Sequence, residues 1–394
     1  PPRRRAADLG PPADGPTILF NGLSLAPGGG VSVLMNYLRS FAAQRPDWRL
    51  ILLRGPYRDD IDAGVPEGVT VVQCGAEVRD LMSRTWWERR WLRHTCRALD
   101  VDLYFGPNGV HIRGLDVPQC LLVQDPGPYL LPPRNLVDRM RFIVLRRGWQ
   151  IAVRKAQCMG YTSRFMRSLI TGPATPERRY LIAYNGIDER MHEESLRTPR
   201  PAAERDTSIV AVSVFGFYKN YETLIRALRL LHAEERFRSY RLRLIGWNVA
   251  SDAYVASLLR LVEELGLTDV VSFEIDQPWH VIQDAYKTAR VFSLVSTCES
   301  FGIPAVEAMA HGTPCVLGDC CAIPEVAGDA ALLVPPRDPA AVSAAWRRLL
   351  TDDALYARLQ DAGRVRCREF SWGKTVGQWI DVMESLLAER RAAR

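Results

Sequence analysis

Two glutamates eight residues apart, Glu299 and Glu307, lie in the run Ser296-Thr-Cys-Glu-Ser-Phe-Gly-Ile-Pro-Ala-Val-Glu-Ala-Met-Ala310. The apolar stretch Ala289 to Val295 before it reads as a strand. Ala305 to Ala310 reads as a helix start, with Pro304 suited to the first turn. Ser300, Phe301 and Gly302 then occupy a tight turn whose backbone N–H groups face outward at a helix N-terminus, a setting that suits an anion. Glu299 stands at the mouth of that turn and Glu307 about two helical turns further on. A ligand carrying both phosphate and hydroxyl groups meets all of them at once. The bland alternative is an ordinary strand, turn and helix with two solvated glutamates, so the rest of the chain must supply matching parts.

It supplies several. Lys219-Asn220 closes Val212-Ser-Val-Phe-Gly-Phe-Tyr-Lys-Asn220, just past the apolar strand Ile209 to Val214. A fixed ammonium there can stabilise charge that builds on a departing anion. Gly28, Gly29 and Gly30 lie between the strand Thr17 to Phe20 and a helical pattern from Val31 to Ala43, where glycine lets backbone approach a phosphate. Gln124 and Asp125 follow the strand Gln119 to Val123, and His111 follows another strand end. Asp125 can orient or accept a proton; Gln124 can hydrogen-bond but not act as a base. His111 is the nearby histidine. His311, Cys315, Cys320 and Cys321 fall close in sequence, but their spacing matches no standard zinc site, and no metal site is expected.

The two-glutamate stretch resembles the signature of retaining, nucleotide-sugar-dependent glycosyltransferases of the GT-B fold, closest to glycosyltransferase family 4, the glycosyl transferases group 1. The resemblance spans roughly residues 17 to 385, more closely in the second half. It implies that Glu299 contacts the donor sugar and Glu307 the ribose hydroxyls, while Ser300, Phe301 and Gly302 face the diphosphate. It implies a phosphate loop at Gly29 and Gly30, and a lysine, Lys219 with Asn220 beside it, that neutralises the departing nucleoside diphosphate. Asp125 is carried as a third catalytic candidate. Two departures stand out. Many members have arginine where this chain has Val214, with Arg164 a candidate substitute, and a histidine where it has Gln124. Tyr184-Asn-Gly-Ile-Asp188 resembles the family's turn ahead of its linker, and also reads as a plain Asn-Gly turn.

Strands and helices alternate along the chain, which argues for α/β architecture with parallel, doubly wound sheets. Two Rossmann-like domains facing across a cleft (GT-B) are expected. Residues 1–15 read as a disordered tail, without the apolar core of a signal peptide. Residues 16–198 form an acceptor-side domain, 199–206 a polar, proline-rich linker, 207–372 the nucleotide-sugar-binding domain, and 373–394 a helix that packs back on the first domain.

At 394 residues and 47% hydrophobic content, the chain has material for two cores. No apolar run approaches the roughly 18 residues of a spanning helix. Nine cysteines without a C-x-x-C pair read as reduced thiols of a cytoplasmic protein. Residues 1–200 hold 29 Lys and Arg against 20 Asp and Glu, leaving 22 against 25 for the remainder. A basic first half suits an anionic partner. Arg79 to Arg97 holds six arginines with Trp86, Trp87 and Trp91, and Arg134 to Lys155 seven basic residues with Phe142 and Trp149. Such helices suit an anionic membrane surface, or else solvate their charges and bury their rings. No nucleic-acid module is recognisable.

The expected activity is hexosyl transfer with retention, from a nucleotide diphosphate sugar (GDP-mannose or a UDP-sugar) to a glycan or lipid-linked glycan in polysaccharide biosynthesis. No cofactor or metal is required, and the location is cytoplasmic, extending to the periphery of the inner membrane face. A nucleotide-sugar epimerase or hydrolase of the same fold is the alternative. A catalytically silent GT-B partner subunit is another, favoured by Val214 and Gln124.

Overall fold

The apolar runs expected as strands form two separate parallel sheets. The computed structural model describes residues 15–23, 29–55, 64–74, 78, 81–172, 179–247 and 252–393. The tail expected at 1–15 lies almost wholly outside them. The chain divides into two compact units, Pro1–Asn185 with Trp372–Arg394, and Gly186–Ser371.

In the first unit β1 (Thr17–Asn21), β2 (Arg49–Arg54), β3 (Val69–Gln73), β4 (Leu103–Gly106), β5 (Gln119–Val123), β6 (Cys158–Tyr161) and β7 (Tyr180–Ile182) pair in the order β3-β2-β1-β4-β5-β6-β7. All pairs are parallel, with Leu19 opposite Ile51 on one side and Tyr104 on the other. Every residue of β1 is buried, as expected of a strand covered on both faces, and it reads as a continuous apolar run rather than an alternation. The helices are α1 (Gly29–Gln44), α2 (Leu81–Ala98), α3 (Gly127–Leu130), α4 (Leu136–Lys155) and α5 (Arg164–Thr171). Asn135 and Ser163 cap α4 and α5 by accepting the N–H of Asp138 and Met166.

The second unit holds β8 (Ser208–Val212), β9 (Arg241–Gly246), β10 (Val271–Ile275), β11 (Val291–Leu294), β12 (Cys315–Gly318) and β13 (Ala331–Val334), in the order β10-β9-β8-β11-β12-β13. Its helices are α6 (Glu189–Leu196), α7 (Tyr221–Leu231), α8 (Asp252–Glu264), α9 (Trp279–Thr288), α10 (Ile303–Ala310), α11 (Ile323–Ala327), α12 (Pro339–Thr351) and α13 (Asp353–Cys367). On α7, Tyr221, Leu224, Ile225, Leu228 and Leu231 are buried, the three-and-four spacing of a core-facing helix. Each such leucine contributes about 1.5–3 kcal/mol by leaving water.

The stretch 199–206 lies inside the second unit. Arg205 explains why: its side chain is buried, and its guanidinium donates to the carbonyls of Ala289, His311 and Gly312 and to Thr313 Oγ1 at 2.8–2.9 Å. A charge is buried there because carbonyl oxygens surround it.

The last helix, α14 (Trp372–Ala392), belongs to the first unit. Trp379 is fully buried, its ring edge-on to Phe105 at 5.1 Å. Gly160 lies beneath that ring, where any Cβ would collide with it. Polar clasps hold the helix: Thr375 Oγ1 donates to the Tyr184 carbonyl at 2.6 Å, and Arg179 meets Glu389 at 2.9 Å.

Candidate functional site

The order of the second sheet fixes where chemistry can happen. The chain leaves β8 in one direction across the sheet and β11 in the other, so the crevice at their carboxyl ends is a topological switch point. β8 and β11 are neighbours, with Ile209 opposite Val291 and Val210 opposite Phe292. The loop after β8 carries Lys219 and Asn220; the loop after β11 carries Glu299, Ser300, Phe301 and Gly302.

These two loops are tied together. The Lys219 ammonium donates to Glu299 Oε1 at 2.6 Å, and each side chain is only about a tenth exposed. Thr297 donates its N–H (2.7 Å) and its hydroxyl (3.2 Å) to the carbonyl of Tyr218. Burial disfavours the charged form of Lys219, but Glu299 and Tyr218 outweigh it and raise its pKa above the ordinary lysine value. The two form a nearly dry ion pair at the switch point.

Asn220, expected among the ligand-binding residues, is bonded to its own unit. Its backbone is left-handed, with φ of 59°. Its amide nitrogen donates to the carbonyls of Val295 (3.1 Å) and Pro336 (2.5 Å), and its oxygen accepts from Thr223 (2.9 Å). Both amide hydrogens are thus taken by main chain, and the side chain positions the Lys219 loop against the ends of β11 and β13.

In the turn ahead of α10, Gly302 has φ of 95°, and a Cβ there would come 2.5 Å from Ile323 Cδ1. The left-handed backbone calls for glycine, and any Cβ would also have to push the end of the Ile323 side chain aside. The Phe301 ring is buried against Phe370, edge-on at 5.2 Å, which leaves only its backbone to meet a ligand. Glu307, in the second turn of α10, is half-buried and accepts the hydroxyl of fully buried Tyr286 from α9 at 2.9 Å. Burial pushes the Glu307 carboxyl up to about 7, with Asp188 adding to the rise and Tyr286 opposing it. No local signal in the sequence marks Tyr286, since it reads as one apolar position of an amphipathic helix.

The remaining candidates, Val214 apart, belong to the first unit. Gly29 and Gly30 form the exposed first turn of α1, and the residues of the expected loop before them lie outside the described ones. Asp125 is exposed, with Oδ1 accepting the Gly127 N–H at 2.8 Å. Gln124 donates to the Pro107 carbonyl, and His111 lies 3.4 Å from Gln119 Nε2. Arg164 opens α5, also in the first unit, and Val214 is half-buried in the loop after β8. A buried network that sequence reading missed joins Asn21 to Glu88 (2.7 Å) and to the Tyr104 hydroxyl (2.8 Å). Among the described residues no group of three or more His, Cys, Asp or Glu is placed to hold a metal ion.

Residues 193–366 match the family model of glycosyl transferases group 1. The MMP alpha-(1->4)-mannosyltransferase of Mycolicibacterium hassiacum is 30% identical over 54% of this chain and 50% of its own. The O-antigen chain mannosyltransferase B of Escherichia coli is 32% identical over 43% of each. The chain thus spans about half the length of the curated relatives it matches. Among solved structures, sucrose-phosphate synthase from Thermosynechococcus elongatus superposes with a TM-score of 0.76 at 19% identity, over 95% of this chain and 100% of that one. Two parallel doubly wound sheets and the superposition give this chain the GT-B fold, and its residues 193–366, which hold the glutamate pair around the α10 turn, match the glycosyl transferases group 1.

Proposed function

We propose that this protein is a retaining hexosyltransferase. It moves a sugar, mannose foremost given the names of two relatives, from a nucleotide diphosphate sugar to a hydroxyl of a glycan or lipid-linked glycan. The observation that carries the reading is the nearly dry Lys219–Glu299 pair at the switch point. An arriving diphosphate exchanges with Glu299 as the partner of Lys219, which frees the Glu299 carboxylate for sugar hydroxyls. Backbone N–H groups at the start of α10 share the phosphate charge, and Glu307 accepts the ribose hydroxyls. The bond from the sugar's anomeric carbon to the phosphate oxygen breaks. A bond to the acceptor oxygen forms on the same face, and the leaving phosphate takes the acceptor proton. Lys219 stabilises the charge that appears on the diphosphate. Positive charge from Lys219 and the helix start serves this scheme without a metal.

A thermal-shift screen across nucleoside diphosphates and their sugars is the direct test. A ligand at a hundred times its Kd stabilises the folded state by about 2.7 kcal/mol. We expect one base to raise the melting temperature, and the matching nucleotide sugar to yield an α-linked product by NMR. Release of free sugar, indifferent to acceptor, would favour a hydrolase. No shift with any nucleotide overturns the reading.

A lipid-linked acceptor is supported by α4. Leu136, Val137, Met140, Val144 and Ile151 lie exposed along it, Val137 to 76%, with exposed Arg139, Arg141, Arg147, Arg154 and Lys155 around them. The helix α2 fits less well than its composition suggests: Trp87 is buried, and Arg93 and Arg97 are held by Asp116. Each cation near an anionic bilayer contributes about 1 kcal/mol, screened over about 8–10 Å. The protein should sediment with phosphatidylglycerol vesicles at low salt and be released at high salt. Replacing Val137, Met140 and Val144 together by Ser should abolish sedimentation. Equal recovery with neutral and anionic vesicles would remove the membrane from the reading.

A further inference from the structure

Of the nine cysteines, seven are buried, and only Cys320 and Cys321 are partly exposed. They are adjacent, just past the carboxyl end of β12, and Cys321 is held in a left-handed conformation with φ of 57°. Their sulfurs brace the chain that leads into the Glu299 turn: Cys320 Sγ donates to the Ser296 carbonyl at 3.2 Å, and Cys321 Sγ to the Thr297 carbonyl at 3.5 Å. Thr297 in turn holds the Tyr218 carbonyl beside Lys219. The two thiols a reagent can reach are therefore bonded to the segment that leads into Glu299 and, through Thr297, are linked to the loop that carries Lys219.

We propose that Cys320 and Cys321 form a thiol-modification site, with Cys321 the attacking and Cys320 the resolving sulfur, whose oxidation by a low-molecular-weight disulfide switches off donor binding. The Cys321 thiolate attacks one sulfur of the small disulfide, and a thiolate leaves with the electron pair. Cys320 loses its proton to solvent and attacks Cys321 sulfur, forming the Cys320–Cys321 bond and expelling the second thiolate. Two protein thiols are oxidised by two electrons, and one small disulfide becomes two thiols.

One physical point assigns the roles, and a second makes the switch reversible. When Cys321 ionises it gives up its bond to Thr297, and the Cys320 S–H turns from the Ser296 carbonyl to the Cys321 sulfur; with the Glu299 backbone N–H this pulls Cys321 down to about 7, while Cys320, as the donor to Cys321, is pushed above the usual thiol range. Adjacent residues also have Cα atoms about 3.8 Å apart, below the roughly 4.4–6.8 Å of unstrained disulfides. A disulfide here is easily reduced, as a reversible switch requires. Oxidation removes both S–H donors from the Ser296 and Thr297 carbonyls, which loosens the Glu299 turn.

The control of donor binding rests on the transferase reading; the thiol chemistry does not. Limiting iodoacetamide on the native chain, followed by peptide mapping, should label Cys321 first, roughly tenfold ahead of any other cysteine. Hydroxyethyl disulfide should give a Cys320–Cys321 peptide lighter by two hydrogens, while Cys320→Ser should stop at the mixed disulfide on Cys321. Oxidised protein should bind the nucleoside diphosphate at least about tenfold more weakly, restored by dithiothreitol. First labelling elsewhere, or no internal disulfide, overturns the site. A disulfide with unchanged nucleotide affinity overturns the switch. Reduced protein that binds no nucleotide counts against the transferase reading alone, and the mapping still decides the thiol site.

Discussion

Lys219→Met should lower turnover at saturating donor by about 10²–10³, the loss expected when a preorganised positive group is taken from a leaving anion. It should also cost stability, because Glu299 is then left nearly buried without its cation. Breaking such a pair from one side costs about 3–5 kcal/mol. The two effects separate in the double variant Lys219→Met with Glu299→Gln. Stability should recover in large part, since no stranded charge remains, while turnover stays low. Urea denaturation reads the first and steady-state kinetics the second. Wild-type turnover in Lys219→Met would sink the leaving-group assignment. A double variant as unstable as the single one would mean that the pair is not what couples the two loops.

Glu307 should make nucleotide binding depend on pH. Its carboxyl sits at about 7 in the folded chain, so near neutrality much of it is protonated. Ribose hydroxyls donate best to the ionised form, and affinity should climb from about pH 6 to about pH 8. A nucleotide sugar is the right probe, since its two bridged phosphates do not titrate in that window. Glu307→Gln should flatten the profile and weaken binding at about pH 8 by roughly ten- to a hundredfold, the value of a charge-assisted hydrogen bond. The same shift has a stability signature. A carboxyl raised from 4.5 to about 7 on folding binds more protons in the native state, so stability is fully present below 4.5 and is lost as pH rises through about 7. Glu307→Gln should remove that decline. A wild-type affinity that is level across the window would place Glu307 outside the ribose contact.

The segment from Glu299 to Glu307 was legible because its signals are local. An apolar strand, a glycine that alone tolerates φ of 95°, and Pro304 in the first turn specify strand, turn and helix without distant contacts. Alternating strand and helix patterns likewise implied parallel sheets, and hence a site at strand carboxyl ends. Other features depend on partners far away in the chain. The stretch 199–206 is polar and proline-rich, the composition of a linker, yet Arg205 anchors it within the second unit through carbonyls of residues 289, 311 and 312. Asn220 beside a presumed phosphate-binding lysine invites a ligand role, but its amide is consumed by Val295 and Pro336.

By itself, then, the sequence determined which residues could bear charge, which turns needed glycine, and that the chain would wind two parallel sheets. Local backbone preference and the burial of apolar faces depend on nearest neighbours in the chain. Only the tertiary structure decided the partners: Lys219 with Glu299 across 80 residues, Tyr286 with Glu307 across 21, and two reachable thiols among nine. Those depend on which strands lie side by side at the switch point and on what the packed helices exclude from water. Both follow from closing the whole sheet, and no short segment encodes either.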